Sequence, residues 1–166
     1  MDDYDRIKAV MEAIGKDMKL MIDANTKWDL EIAIFMSHKI EEFDIYRLDD
    51  SLNPDDECTL GESLTYLYSF RDGIRNYAID IVQVNVTKVR GITEWLKVAS
   101  LSEALTSIYP HTNIQQPLHA QLFASIPNRN VVEHVDWLSD ILKYPITSEN
   151  GCFHLDTIKG TGSEVK

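Results

Sequence analysis

Short apolar runs alternate along this chain with longer stretches in which apolar residues recur every three or four positions. The short runs are typical of buried parallel strands, and the longer stretches are typical of amphipathic helices. Predicted helices cover residues 4–14, 28–43, 63–77, 92–105 and 114–126. Predicted strands cover residues 20–22, 44–48, 58–60, 79–84, 107–110 and 131–133.

This alternation predicts an α/β fold. Strands separated by helices of about 10–15 residues form right-handed βαβ units with a parallel sheet. Parallel strands share one C-terminal edge, so polar residues just after each strand should meet there. Such residues stand at the end of every predicted strand or shortly after it: Asp23, Asp49, Glu62, Asn85, His111 and Glu133. The pattern therefore predicts a (β/α) barrel, or part of one, with an acid-rich mouth.

The first three of these polar residues suit a metal ion. Asp23, Asp49 and Glu62 are carboxylates that could converge on one hard divalent cation such as Mg²⁺. A metal that binds both oxygens of a substrate carboxylate acidifies the neighbouring C–H bond. His111 is a residue type suited to moving that proton, and Asn85 is placed to hold its ring.

Each of these residues also has a structural interpretation. Asp23 could cap the following helix, and Asp49 could stabilise a turn. Glu62 could interact with a helix dipole, and His111 could be an ordinary loop histidine. The residues alone leave both interpretations open. The remaining histidines are interpreted as structural or surface residues: His38, His119, His134 and His154.

Composition narrows the class of protein. The chain has 166 residues, 44% of them hydrophobic, which is enough for an ordinary globular core. No apolar run approaches the roughly 20 residues that span a bilayer, and the acidic start MDDYDR is unlike a signal peptide. The net charge of -11 argues against nucleic acid or an anionic membrane as a partner. Cys58 and Cys152 have no metal-type spacing, which predicts reduced thiols and a cytoplasmic location.

Several segments carry a family resemblance. They are LMIDAN, LDDSLNPDD, the pair Gly61-Glu62, AIDIVQVNVTKVRGITEWLKVA, YPH, ASIPN, VVEHVDWL and KGTGSEV. Together they resemble, in the same order, the C-terminal barrel domain of the enolase superfamily in its mandelate racemase/muconate lactonizing enzyme branch. The matching segments run from about residue 5 to residue 165, so the resemblance covers almost the whole chain. Each segment alone is weak evidence, and their common order makes the resemblance strong.

The resemblance implies a role for each polar residue. His111 would be the general acid/base, and Asn85 stands where the family has the aspartate partner of that histidine. Glu133 takes the place of an acid that, in some members, donates a hydrogen bond to substrate. The implied ligands of Mg²⁺ are Asp23, Asp49 and Glu62. Such enzymes racemise, epimerise or cycloisomerise carboxylates, or dehydrate acid sugars, so the implied partner is a small-molecule carboxylate or acid sugar.

The sequence departs from the family pattern in several places. It begins after the strand that carries the family's Lys-x-Lys bases, and it lacks the N-terminal capping domain. Asp49 replaces a longer glutamate, and Glu62 follows only 13 positions later, too soon for a helix and a strand. Asn85 lacks the charge of the family's aspartate. Arg90 replaces a glycine where the loop requires φ > 0.

We therefore expect an incomplete barrel over residues 1–156, followed by a C-terminal tail over residues 157–166. It should contain about six parallel strands with outer helices, and lack the first strands, one helix and the capping domain. Its unpaired sheet edges should be covered or should pair with another copy, giving a homo-oligomer. One functional hypothesis is Mg²⁺-assisted removal of the proton α to a carboxylate, with acid-sugar dehydration as the first choice. The alternatives are a non-catalytic family member with residual metal or ligand binding, and an interaction module built on the sheet edges.

Overall fold

The computed structural model describes residues 2–52, 64–79, 81–103, 107–110 and 115–166. The chain divides into two compact units, Met1–Leu60 and Gly61–Lys166. Each unit combines helices with a pair of parallel strands, which confirms the α/β class. The described strands pair two by two, in small sheets. Within these described ranges, no helix has the length and apolar character needed to cross a membrane.

In its described residues, unit 1 has two helices packed against two parallel strands. Its elements are α1 (Asp3–Ile14), β1 (Met21–Asp23), α2 (Leu30–Ile40), a 3₁₀ turn (Glu41–Phe43) and β2 (Arg47–Asp49). The carboxylates of Asp2 and Asp29 cap the two helices by accepting hydrogen bonds from backbone N–H groups in the first turn. Both caps follow the usual preference for aspartate at this position.

The core of unit 1 shows which side chains of its strands point toward the helices. Its buried residues are Ile7, Trp28, Met36 and Ile40, which come from both helices and from the turn before α2. Ile22 of β1 and Leu48 of β2 pack against this cluster. Side chains alternate across a strand, so the neighbours of Ile22 and Leu48 face away from the helices.

Unit 2 contains the second parallel pair. Its elements are α3 (Leu67–Arg75), β3 (Ile81–Val84), α4 (Ile92–Ser102), β4 (Ser107–Pro110), α5 (Gln116–Ala124), β5 (Thr147–Glu149) and β6 (Cys152–His154). Phe70, Val82, Val84 and Trp95 are fully buried in its core. The indole N–H of Trp95 donates to the carbonyl oxygen of Val84 at 3.3 Å, which ties α4 to β3.

Most of the predicted elements are confirmed, several with shifted or shorter bounds, and β1 and β2 each end one residue later than predicted, at Asp23 and Asp49. Pro117 occupies the first turn of α5, as the sequence requires. The predicted strand at residues 131–133 is wrong, because this segment belongs to no strand in the described structure. The carbonyl of Glu133 accepts a hydrogen bond from Nε2 of Gln116 at 3.0 Å, so a side chain takes the place of a ladder partner. The predicted strand at residues 58–60 lies outside the described residues.

A β-hairpin near the C-terminus was not predicted. Strands β5 and β6 pair in antiparallel fashion across Asn150 and Gly151, whose φ angles are 52° and 75°. Two adjacent positive φ angles at Asn-Gly are typical of a type I′ hairpin turn. The signal was therefore present in the sequence.

The last ten residues contact the rest of unit 2. The backbone N–H of Lys143 donates to the carbonyl of Glu164 at 2.8 Å, and Leu142 pairs with Val165 in an antiparallel bridge. Gly162 is buried against the ring of Pro117. The proposed domain boundary at residue 156 stays a prediction.

Candidate functional site

Two of the predicted metal ligands, Asp23 and Asp49, lie side by side. Strands β1 and β2 run parallel, and their register pairs Asp23 with Asp49. The ladder continues one residue past the end of β1, because the N–H of Ala24 donates to the carbonyl of Asp49 at 3.1 Å. Neighbouring strands are about 4.8 Å apart, so the two carboxylates leave the sheet from adjacent positions.

Both aspartates lie on the face of the strand pair that the helices leave uncovered. Ile22 and Leu48 point into the core of unit 1, and Asp23 and Asp49 follow them directly along their strands. Alternation therefore places both carboxylates on the opposite face, at the C-terminal ends of the strands. This is the edge at which α/β proteins commonly bind ligands.

Asp23 stabilises the turn that follows its own strand. Its Oδ1 atom accepts a hydrogen bond from the backbone N–H of Asn25 at 2.7 Å. Asn25 and Thr26 have φ angles of 50° and 57°, so this contact supports a left-handed stretch of backbone. The cap of α2 is Asp29 instead, with Oδ1 2.8 Å from the N–H of Ile32. The capping interpretation of Asp23 is therefore wrong.

Asp49 is held by two contacts from nearby residues of the chain. Its Oδ1 atom accepts from the backbone N–H of Asp50 at 3.0 Å, and its Oδ2 atom accepts from the guanidinium of Arg47 at 2.7 Å. The Arg47 and Asp49 side chains are only 9% and 18% exposed. Sequence reasoning did not single out Arg47, although its position two residues before Asp49 places both on one face.

A cavity of about 400 Å³ adjoins Asp23. Its other lining residues are Asp3, Arg6, Ile7, Ile22, Ala24, Lys27 and Trp28. The formal charges at this cavity cancel, because Arg6 and Lys27 stand beside Asp3 and Asp23. Arg6 is already paired, since its Nη1 atom lies 3.3 Å from Oδ1 of Asp3.

The two paired carboxylates fit a hard divalent cation by the chemistry of their oxygen atoms. Across the ranges that the structure describes, no group of three or more His, Cys, Asp or Glu side chains could hold a metal ion. The predicted third ligand, Glu62, lies outside the described residues. Asp23 and Asp49 therefore form the described part of the candidate metal centre.

Asn85, in unit 2, is buried directly after β3. Its Oδ1 atom accepts hydrogen bonds from the backbone N–H and from the hydroxyl of Thr87, at 3.0 and 2.7 Å. Because the N–H of Thr87 is a donor, the side-chain oxygen must face it, and the NH₂ group faces the other way. Any contact that Asn85 makes with a histidine through that NH₂ group is a donated hydrogen bond. His111 lies outside the described residues.

The backbone after Asn85 is fixed by His119 of α5. Nε2 of this buried histidine accepts from the backbone N–H of Val86 at 2.9 Å. Nδ1 therefore carries the proton, and lies 3.2 Å from the carbonyl of Gln115, to which it donates. His119 has a structural role, as interpreted from the sequence. Its contact with Val86 spans 33 positions, and nothing in a single sequence reveals it.

Glu133 is exposed and lies in the segment without strand structure. Its neighbour His134 lies 3.0 Å from Asp136 and packs against the edge of Phe153. The catalytic roles of Glu133, Asn85 and His111 stay predictions, as do the metal-binding roles of Asp23, Asp49 and Glu62.

Comparison with known protein families gives a match over the entire chain. The family model described as "Enolase C-terminal domain-like" matches residues 1–166. Among curated proteins, L-talarate/galactarate dehydratase of Salmonella typhimurium is 30% identical, over 97% of this chain and 44% of that protein. The chain thus spans less than half the length of this relative.

Solved structures give the same result. The structure of the Salmonella typhimurium L-talarate/galactarate dehydratase with Mg and L-lyxarohydroxamate has a TM-score of 0.86 at 29% identity. That similarity covers 99% of this chain and 45% of the other. A racemase from Streptomyces coelicolor with bound magnesium has a TM-score of 0.79 at 28% identity, over 91% of this chain and 45% of the other.

Proposed function

This chain belongs to the mandelate racemase/muconate lactonizing enzyme branch of the enolase superfamily, and from that membership we propose that it carries a Mg²⁺ site for acid-sugar chemistry. Asp23, Asp49 and Glu62 would hold the ion. The reaction would be removal of the proton α to a substrate carboxylate, with dehydration of an acid sugar as the first candidate.

The observation that carries this proposal is the register of Asp23 and Asp49 in β1 and β2. Two carboxylates at adjacent C-terminal strand ends provide the oxygen donors that Mg²⁺ prefers. The related structures that contain magnesium support the choice of ion. When bound, Mg²⁺ would supply positive charge that stabilises the negative charge developing on the substrate carboxylate.

The chain's own residues would bind and orient the substrate and move its protons. His111 would transfer the proton, and Glu133 would donate a hydrogen bond to substrate. This arrangement requires the finer fold prediction, a partial barrel of about six parallel strands whose C-terminal ends share one face. A cytoplasmic location is part of the same proposal.

A second candidate function has support from two observations. The Arg47 guanidinium already neutralises Asp49, and the NH₂ group of Asn85 cannot take the place of a carboxylate beside a histidine. Both features would impair catalysis more than they would impair the folding of the domain. The second candidate is therefore a non-catalytic family member that retains metal or ligand binding.

One set of assays separates the two candidates. The chain is incubated with MgCl₂ and a panel of acid sugars that includes galactarate, and NMR detects the 2-keto-3-deoxy acid that loss of water produces. Thermal unfolding with and without MgCl₂ reports metal binding in the same samples. Asp23→Asn should abolish both signals, whereas Asp29→Asn removes the same charge from unit 1 and keeps the helix cap.

The outcomes are distinct. Turnover that requires Asp23 supports the dehydratase. Stabilisation by Mg²⁺ without turnover supports the non-catalytic candidate. A melting temperature that Mg²⁺ leaves unchanged in the folded wild-type chain contradicts the metal site in both.

A further inference from the structure

A positive charge already stands at the candidate metal centre. The guanidinium of Arg47 donates a hydrogen bond to Oδ2 of Asp49 at 2.7 Å. The pair is largely shielded from water, because the two side chains are only 9% and 18% exposed. Both residues belong to β2 and are two positions apart, so they project from the same face.

The character of this pair differs from that of a surface ion pair. Arg71 and Asp72, for comparison, are also 2.7 Å apart, but their side chains are 37% and 54% exposed. Solvent screens such an exposed pair, and its contribution to any nearby equilibrium is small. Charges removed from water interact more strongly, and the loss of one partner from a buried pair is costly.

The guanidinium and a divalent cation require the same carboxylate. Arginine stays protonated in proteins, so proton loss cannot remove its charge. A cation that approaches Asp49 must displace the guanidinium or bind against its repulsion. Either route makes metal binding less favourable. Because coupling is reciprocal, bound metal must weaken the ion pair by the same free energy.

We propose that Arg47 is the resident counter-ion of Asp49 and competes with the divalent cation for that carboxylate. Arg47 is thereby a positioning residue that sets the metal affinity of the centre. The inference rests on the proposed function, because it requires a metal that binds at Asp23 and Asp49.

The test measures metal affinity directly. Isothermal titration calorimetry with MgCl₂, and separately with MnCl₂, is applied to the wild-type chain and to Arg47→Met, which keeps an unbranched apolar stem as far as the Nε position and removes the charge. Affinity should increase about tenfold or more in Arg47→Met. Arg47→Lys keeps the charge and should bind no more tightly than the wild type. Arg71→Met removes a charge from an exposed pair in unit 2 and should leave the affinity unchanged.

A second measurement uses only the wild-type chain, so it does not require the variants to fold. NMR of the arginine side chains during a MgCl₂ titration should show the Arg47 guanidinium resonance moving in step with metal occupancy. The Arg71 resonance should stay in place.

The results that overturn this inference differ from those that overturn the proposed function. Metal binding that depends on Asp23 but is equal in wild type, Arg47→Met and Arg47→Lys refutes the competition and keeps the metal site. An equal gain in Arg47→Lys and Arg47→Met also refutes it, because the charge is then not the cause. The absence of binding in the wild type and in a folded Arg47→Met variant refutes the metal site and, with it, the inference. Binding that appears only in Arg47→Met supports the competition.

Discussion

Asp23 and Asp49 occupy paired positions at the ends of two parallel strands, with their carboxylates on the same face of the sheet. Two like charges at this spacing repel each other when no cation lies between them. Here Arg47 offsets part of the repulsion by its ion pair with Asp49. This relationship makes the stability of unit 1 sensitive to charge at the two positions.

The first prediction concerns that sensitivity. Asp23→Asn should raise the free energy of unfolding by a few tenths of a kcal/mol without metal, because it removes one of two like charges and keeps the oxygen that accepts from Asn25. In the Arg47→Met background the gain should rise to about 1 kcal/mol, because Asp49 is then uncompensated. Urea denaturation in metal-free buffer measures both values. Asp29→Asn, which removes a charge at a helix cap in the same unit, should show no such dependence on Arg47.

The second prediction concerns the proposed contact between Asn85 and His111. With its oxygen bound to Thr87, Asn85 can only donate to the ring, so the ring nitrogen facing it must be unprotonated. Asn85→Asp presents an acceptor instead and should move the imidazole proton to that nitrogen, freeing the other nitrogen to act as a base. ¹⁵N NMR of labelled histidine distinguishes the two tautomers. Identical His111 spectra in both proteins would contradict the proposed contact.

The third prediction concerns Arg90, which adopts a φ of 68° just before Gly91. The sequence predicts that this loop requires φ > 0, and the structure confirms it. The guanidinium lies 4.7 Å from the centre of the Tyr66 ring and donates to its hydroxyl at 3.1 Å. Arg90→Ala and Arg90→Gly both lose this contact, but only the second relieves the left-handed strain. Chemical denaturation should therefore find the glycine variant about 1 kcal/mol more stable than the alanine variant, and equal stabilities would show that the backbone is unstrained.

The fourth prediction concerns His119. His119→Ala leaves the buried N–H of Val86 without its acceptor and should lower the free energy of unfolding by about 1–3 kcal/mol. His119→Gln places an amide oxygen near the same point and should restore part of the loss. Hydrogen exchange at the Val86 amide should be fast in the alanine variant and slower in the glutamine variant. An equal exchange rate in all three proteins would exclude the proposed role of this bond.

The fifth prediction concerns Gly160 and Gly162, whose φ angles of 58° and 71° are alike. A Cβ atom at Gly162 would lie 2.8 Å from Ile158 Cγ2 and closer still to the ring of Pro117, whereas at Gly160 it would meet nothing within 4 Å. Gly160→Ala should cost about 1 kcal/mol through its backbone conformation alone. Gly162→Ala should cost clearly more, because it also overpacks the contact with α5. Thermal unfolding measures the difference. Equal losses of stability would show that the C-terminal segment moves to accommodate the Cβ atom at Gly162 without a cost in free energy.

Local patterns in the sequence predicted the parts of the structure that depend on neighbouring residues. Helical periodicity gave α1 and α4, and the run Ile81–Val84 gave the buried strand β3. The adjacency of Asp23 and Asp49 followed from one rule, that consecutive parallel strands end at the same edge. The Asn150-Gly151 turn has an equally local signal, because Asn-Gly is the usual pair in a two-residue hairpin loop.

Contacts between distant residues could not be predicted in this way. Residues 131–133 have the β-branched composition of a strand, yet the side chain of Gln116 satisfies the carbonyl of Glu133 instead. The bond from Val86 to His119 has no local signature. The Arg47–Asp49 pair could have been inferred from spacing alone, but its burial depends on the packing around β2.

Hydrogen bonds link the C-terminal segment to the loop that holds Asn85. The hydroxyl of Ser163 donates to Oε1 of Gln115, the carbonyl of Gln115 accepts from the ring of His119, and that ring accepts from Val86. The effect of an affinity tag or a deletion that disturbs residues 158–166 would therefore be transmitted to the vicinity of Asn85 through these three hydrogen bonds. Expression vectors for functional assays should leave this end of the chain unaltered, since an inactive tagged protein would say nothing about the chemistry of the native one.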